Sequence, residues 1–468
     1  MKMYPYRILG ITCVMALLLS GCATTTPPTS VNLPETWAAS VAESSEASLD
    51  HWWHRFDSPQ LEALIEESLQ SSPDMVAVAE KVIQAEAQLR TTGASLFPSL
   101  NLSGNTAWNQ NRSSEGRSSE SESSRLSLGA SYEVDIWGRM AADVRGSQAS
   151  LDIAHYDLAA ARLSLSAGVA SAYFQTRAMR ERVTIARENL AIAERVMAIV
   201  QARYRHGSAS LLDVQRQEST VLSQRSSLLS LEEQEKQTAS ALALLLGRLP
   251  QHTVVSDETL PHLTIPTVAP GLPSELLVRR PDLARAEAQL AAAHASIESA
   301  RAALLPSFSL SASAGTASVA LLSLANPTTS LGLSAAIAQT IFDAGRRKNQ
   351  IVIAESRQRE LVETYRKTVL SALKEVEDAL NRAHYAEHQA TIQSAILEQT
   401  RRTLRLAEIR YREGNEEMLG VLDAQRSLFQ AQDQVVQLRL ARLNAALDLY
   451  KVLGGGWKNA RPDEGSME

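Results

Sequence analysis

The hexapeptide "ARYRHG", residues 202–207, comes back as "IRYREG" at 409–414, so that Tyr204 and Tyr411 stand 207 positions apart. In both copies a tyrosine between two arginines is followed by a glycine, Gly207 or Gly414. Glycine takes the left-handed conformation that stops a helix. The pair therefore predicts two hairpin tips, each at the far end of a long helix. The echo extends in both directions. "SPDM" at 72–75 matches "RPDL" at 280–283, and "LFPSLNLS" at 96–103 matches "LLPSFSLS" at 304–311. Arg139 and Arg346 end matching tripeptides, and Gly247 matches Gly454. A near-constant offset over roughly 175 residues is far longer than a solenoid unit and reads as duplication of a half-protein.

Each half repeats one order: a helix, two strands, a very long helix, a turn and a returning helix. The first helix covers about 74–95 and ends before Pro98. In "RLSLGASYEVDIW" (125–137), Leu126, Leu128, Ala130, Tyr132, Val134 and Ile136 share one face, and Ser127, Gly129, Ser131, Glu133 and Asp135 the other. Such a period of two is a strand. "PSLNLSGNTAW" (98–108), "FSLSASA" (308–314) and "LGLSAAIAQTIF" (331–342) alternate likewise. The polar run at 109–124 reads as a loop between the first two strands, and "ANPTTS" (325–330) helps close the second pair. Four strands are too few for a membrane barrel, which needs about eight or more. An open sheet would leave two raw edges. Chains pooling their strands would remove both edges, and strand counting alone permits two, three or four chains.

From Arg139 to Arg205 there is no proline, and glycine occurs only at 146 and 168. One helix of that length spans about 100 Å. Its distal part carries Val183, Ala186, Leu190, Ala193, Met197, Val200 and Tyr204 at heptad spacing, echoed by Ala390, Leu397, Leu404, Ala407 and Tyr411. Ile185, Ile192 and Ile199 form a second line, so the helix touches neighbours on two sides. The returning helices add Val214, Val221 and Leu228, and Val421, Leu428 and Val435.

The chain has 468 residues, a formal net charge of −6 and only 5% aromatic residues. That suits closely packed helices, and no basic cluster marks a nucleic-acid footprint. Lys2 and Arg7 precede an apolar run from Ile8 to Leu19, which predicts an export signal. The run ends in Leu19-Ser20-Gly21-Cys22, which resembles the lipobox of bacterial lipoproteins. The resemblance implies that Cys22 is lipidated and becomes the first mature residue. Ala23, rather than aspartate, favours outer-membrane sorting. Cys13 lies in the removed signal, so no disulfide is expected. The motifs of phosphate loops, zinc peptidases, serine hydrolases and thiol redox pairs are all missing, and neither a catalytic site nor a cofactor is expected. His384 and His388 stand one turn apart with no third ligand nearby, so no metal site is expected either. "HWWH" at 51–54 reads as tryptophan anchors.

"WWHRFDSPQLEALIEESL" (52–69), "RRPDLARAEAQLAAAHASIESARAALLPSFSLSA" (279–312) and "RYREGNEEMLGVLDAQRSLFQAQ" (410–432) resemble recurring motifs of the TolC-type outer-membrane factors, in their lipoprotein (NodT-like) branch. The resemblance covers essentially the whole mature chain. It implies a mainly α fold with a β-barrel portion: a homotrimer with four strands per chain in a shared twelve-stranded barrel, a twelve-helix periplasmic tunnel and an equatorial domain. With it the chain divides into a signal peptide (1–21), a lipidated tether (22–35), an equatorial segment (36–72), the first repeat (73–247), an equatorial linker (248–273), the second repeat (274–454) and an equatorial tail (455–468). It further implies a passive outer-membrane conduit of a tripartite efflux or type I secretion system, anchored by lipid and reaching into the periplasm. A periplasmic adaptor and an inner-membrane transporter are the implied partners. The other reading of the coiled-coil pattern is a lipid-anchored envelope scaffold without a lumen.

The resemblance also implies site residues. The tips Tyr204, Arg205, Gly207, Tyr411, Arg412 and Gly414 would meet the adaptor. Asp423 stands at an acidic gate position, while Gly420 occupies the family's other acidic position. Asp213 matches a residue that links to the second-tip tyrosine, Tyr411, and Glu416 replaces an arginine of that link. The alternative for Asp423 is a solvated pair with Arg426, three residues on.

Overall fold

The computed structural model describes residues 33–38, 51–112, 114, 116, 118–252, 260–320, 322, 324 and 326–457. Helix α1 (Pro59–Ser71) and helix α2 (Pro73–Gly93) lead into strand β1 (Ser99–Arg112), which turns into β2 (Ser118–Val134). The long helix α3 (Arg139–Arg205) and its return α4 (Leu211–Leu245) complete the first half. The second half repeats the series with α5 (Pro281–Ala302), β3 (Ser307–Ser318), β4 (Thr328–Ala338), α6 (Arg346–Arg412) and α7 (Met418–Val452). Both long helices have 67 residues. Each follows a glycine at positive φ, Gly138 (71°) or Gly345 (79°), which turns the chain out of its strand.

The four strands form one antiparallel meander in the order β1-β2-β3-β4. Its register aligns Leu102, Leu128, Ala314 and Leu331 across one face. The next row aligns Ser103, Ser127, Gly315 and Ser330 across the other. Serine pairs brace that second face: Ser99 with Ser131, and Ser103 with Ser127, each 2.8 Å between hydroxyl oxygens. The apolar face stays open, with Leu331 90% and Leu333 85% exposed. From Val134 to Leu126 it measures about 26 Å along the strand, close to the ~25 Å apolar band of membrane barrels. All four junctions with helices lie at one end of the meander, and the β1–β2 and β3–β4 connections lie at the other.

Three expectations need correction. Most of the polar run 109–124 is strand: Asn109–Arg112 belong to β1 and Ser118–Ser124 to β2, still paired as Asn111 with Ser119. Ladder bonds join backbones whatever the side chains, so a hairpin begun by an apolar segment continues where both faces meet water. Strand β4 runs Thr328–Ala338, beginning earlier and ending sooner than 331–342. Ile341 and Phe342 lie beyond it. The heptad seam of α3 also shifts: Asn189 and Val196 are buried in place of Leu190 and Met197, and Tyr204 is exposed. Ala186, Ala193 and Val200 stay buried at a spacing of seven, so the repeat holds; the positions between them shift by one residue because Val196 turns toward the core that α3 shares with α6 and α7.

The main core surrounds the middle of α3. The turn Trp52–Phe56 and helix α1 pack there, with Trp52 stacked on Tyr450 at 5.7 Å and Phe56 against Phe174 at 5.0 Å. Ser58 caps α1 and meets the Tyr173 hydroxyl at 3.1 Å. The buried Arg177 guanidinium donates to Gln60 and to the Tyr173 hydroxyl at 2.8 and 2.9 Å. Arg439 of α7 donates to the carbonyls of Leu260, Pro261 and Leu263, which ties the segment between the repeats to this belt. A second core near the tips joins Val196 and Val200 of α3 to Leu404 and Tyr411 of α6 and to Met418, Val421 and Leu428 of α7. Among the described residues no helix is long and apolar enough to cross a membrane.

Candidate functional site: the paired hairpin tips

Both tips turn through glycine at positive φ, Gly207 at 71° and Gly414 at 82°. At the first, the Ser208 amide donates back to the Arg203 carbonyl at 2.8 Å. At the second, Asn415 donates to Arg410 at 2.8 Å. This six-residue closure satisfies carbonyls that the helix end would leave bare. The preceding arginines add a second closure: Arg203 donates to the Ser208 carbonyl at 3.1 Å and Arg410 to that of Asn415 at 3.2 Å. Arg410 also pairs with Glu416 at 3.4 Å.

The tips meet through Arg203. Its guanidinium lies 4.5 Å from the centre of the Tyr411 ring and donates to the Tyr411 carbonyl. Tyr411 is buried, and its hydroxyl has no hydrogen-bond partner among the described residues. Burial pushes the phenol above its ordinary range; Arg203 opposes that shift and Asp213 adds to it. The expected bond between Asp213 and Tyr411 is not formed within the protomer. Asp213 instead closes a capping box on α4, accepting from the Ser210 amide at 3.0 Å and the Ser210 hydroxyl at 2.8 Å. An acid three residues after a serine serves its own helix first.

Asp423 lies on α7 beyond the second tip, exposed, and pairs with Arg426 at 3.3 Å. Gly420 sits one turn before it, and a side chain there would meet the flexible end of Glu416. Tyr204, Arg205 and Arg412 are exposed. The sequence reading missed Arg203 as the contact between tips. Its only signal was the repeated "RYR", and even that does not single it out, since the matching Arg410 of the second copy is exposed. His384 and His388 place their rings 4.5 Å apart, edge to face, and both are exposed. Among the described residues no His, Cys, Asp and Glu cluster is arranged to hold a metal. Cys22 lies outside the described residues.

The model of the outer membrane efflux protein family matches residues 64–248 and 272–455. The pyoverdine export outer membrane protein OpmQ of Pseudomonas aeruginosa is 41% identical over 95% of this chain and 96% of its own. The cation efflux system protein CusC of Escherichia coli K12 is 32% identical over 97% of this chain and 100% of its own. A crystal structure of CusC superposes with a TM-score of 0.81 at 30% identity, covering 94% of this chain and 100% of that one. The Campylobacter jejuni CmeC outer membrane channel, at 21% identity, shares the fold with a TM-score of 0.86, over 94% of this chain and 95% of its own.

Proposed function

The chain belongs to the outer membrane efflux protein family and is an outer-membrane channel component of tripartite efflux; from that premise we propose that three copies build one continuous conduit. The carrying observation is the four-stranded meander, with one apolar face, one small polar face and two unpaired edge strands. Three such sheets joined edge to edge close a twelve-stranded barrel. Its apolar faces meet lipid and its serine faces line the lumen. The paired helical hairpins of each chain would then form one third of a twelve-helix tunnel, with the tips farthest from the membrane. Cys22 would carry the lipid anchor. A periplasmic adaptor would dock on Tyr204, Arg205, Gly207, Tyr411, Arg412 and Gly414, and an inner-membrane transporter would supply the energy. The cargo is small toxic compounds, moved from periplasm to exterior. Relatives are channels rather than enzymes, and the conduit needs no catalytic group of its own.

The tunnel end is the gate. Three Asp423 carboxylates near one axis favour cations in the constriction. Tyr411, held under Arg203, would fix the second hairpin against the first, and Asp213 would act through the cap of α4. Native mass spectrometry of the detergent-solubilised protein tests the assembly. A trimer is expected; a dominant monomer or dimer contradicts it. Cys22→Ser should abolish palmitate labelling, and persistent label would rule out the lipid site.

A further inference from the structure

The polar face of the sheet is almost free of charge. Its rows read, from the helical end outward, Glu133–Ser309–Ala336, Ser131–Ser311–Ser334, Gly129–Ser313–Gly332 and Ser127–Gly315–Ser330. Strand β1 adds Ser99, Asn101 and Ser103 to the last three. The next row outward is Asn105–Arg125–Ala317–Thr328. Beyond it β1 and β2 continue with Ala107–Ser123, Asn109–Ser121 and Asn111–Ser119. Two ionisable side chains therefore occupy this face among the described strand residues. Glu133 is answered by Arg139 at 2.8 Å. Arg125 is exposed, and no ion pair joins it to any described residue.

We infer that Arg125 is a selectivity-determining residue: a fixed positive charge at the outer part of an otherwise neutral barrel wall, which favours anionic over cationic solutes there. The inference rests on the proposal that this face lines a lumen. Arg125 lies one residue beyond Leu126, near the outer end of the apolar band on the opposite face. Glu133 is eight residues away, about 26 Å along the strand, well beyond the ~8 Å Debye length of physiological salt. Its charge therefore does not cancel that of Arg125. The wall around Arg125 is serine, asparagine, glycine, alanine and threonine, so no carboxylate competes. The acidic constriction proposed at Asp423 lies at the other end of the molecule. The two ends of the conduit thus carry opposite preferences, and the barrel end acts without touching the gate.

A thiol beside Arg125 reads its field directly, without passing ions through the gate. Ser127 stands two residues away on the same face, and Leu126 points to the other. In the full-length trimer, reconstituted in liposomes, Ser127→Cys and Leu126→Cys are each treated with an anionic sulfonatoethyl and a cationic trimethylammonioethyl methanethiosulfonate. Ser127→Cys should react and Leu126→Cys should not. A unit charge about 7 Å away, screened as at 10 mM salt, should raise the anion-to-cation rate ratio about fivefold over that of the Ser127→Cys, Arg125→Gln double variant. The excess should vanish at 1 M salt. Arg125→Lys in the Ser127→Cys chain should keep it. A ratio that neither Arg125→Gln nor salt changes, at a reactive Ser127→Cys, overturns the inference and leaves the channel standing. The salt series needs no change at Arg125, so it decides even if Arg125→Gln fails to assemble. Reaction at Leu126→Cys with none at Ser127→Cys overturns the lumen assignment, and the inference with it.

Discussion

The two tips share a motif and differ in depth: Tyr204 is 45% exposed, whereas Tyr411 is 4% exposed beneath Arg203. Their backbones are nearly the same, with glycine at positive φ and a six-residue closure in each. The neighbours differ. Val196 and Val200 of α3 join the core around Tyr411, and no described residue covers Tyr204 in the same way. The repeat therefore supplies two equal turns, and packing gives them different surroundings. The second tip is locked within the protomer. The first leaves its aromatic exposed.

The two tips should differ most at their tyrosines. Tyr411→Ala should empty a packed site and cost about 3 kcal/mol, while Tyr204→Ala should stay within about 0.5 kcal/mol. Hydrogen exchange at the amides of both tips reads the difference, and equal loss would erase the distinction. The glycines should behave alike instead. Gly207→Val and Gly414→Val each force a β-branched residue to positive φ, at about 1–2 kcal/mol. No atom lies within 4 Å of a side chain added at Gly207, and the nearest to Gly414 is 3.9 Å away, so backbone alone sets the cost. Export should fall in both while native mass spectrometry still finds the trimer. Arg203→Ala should cost about 1 kcal/mol through the lost ring contact and raise resting conductance. Arg410→Ala, which loses no ring, should do less.

The smallest expected effect lies in the Tyr411 hydroxyl. The Tyr411 hydroxyl has no described partner, so Tyr411→Phe should cost nothing at neutral pH. The phenol is raised above its ordinary value, chiefly by burial. A raised folded-state value means that the neutral phenol is favoured by folding. Its contribution is complete below about pH 10 and is lost as pH rises through the folded-state value. Second-tip protection in wild type should therefore fall in that alkaline window, and Tyr411→Phe should remove the fall. If Tyr411→Phe loosens the tip at pH 7, a hydrogen bond such as the one first expected from Asp213 is present in the assembly.

Much of this was legible in the chain because it is periodic. The proline-free run from Arg139 to Arg205 is one helix with those ends, and the alternating segments near residues 100, 130, 310 and 335 are strands. The tips follow from glycine alone. What the sequence hid depends on contacts between distant residues. Ser118–Ser124 look like loop because neither face is apolar, yet the ladder carries them. Tyr204 and Tyr411 look equivalent because burial is decided by α3 and α7, not by the motif. Arg203 reaches a residue 208 positions away, and Asp213 is taken by its own cap.

Single-channel recording of the purified trimer in a planar bilayer decides whether the chain builds a gated conduit. Wild type should show discrete, small conductance steps, and Arg203→Ala and Tyr411→Ala should enlarge them. A folded trimer that passes no current in any of the three forms would contradict the conduit and leave a scaffold without a lumen.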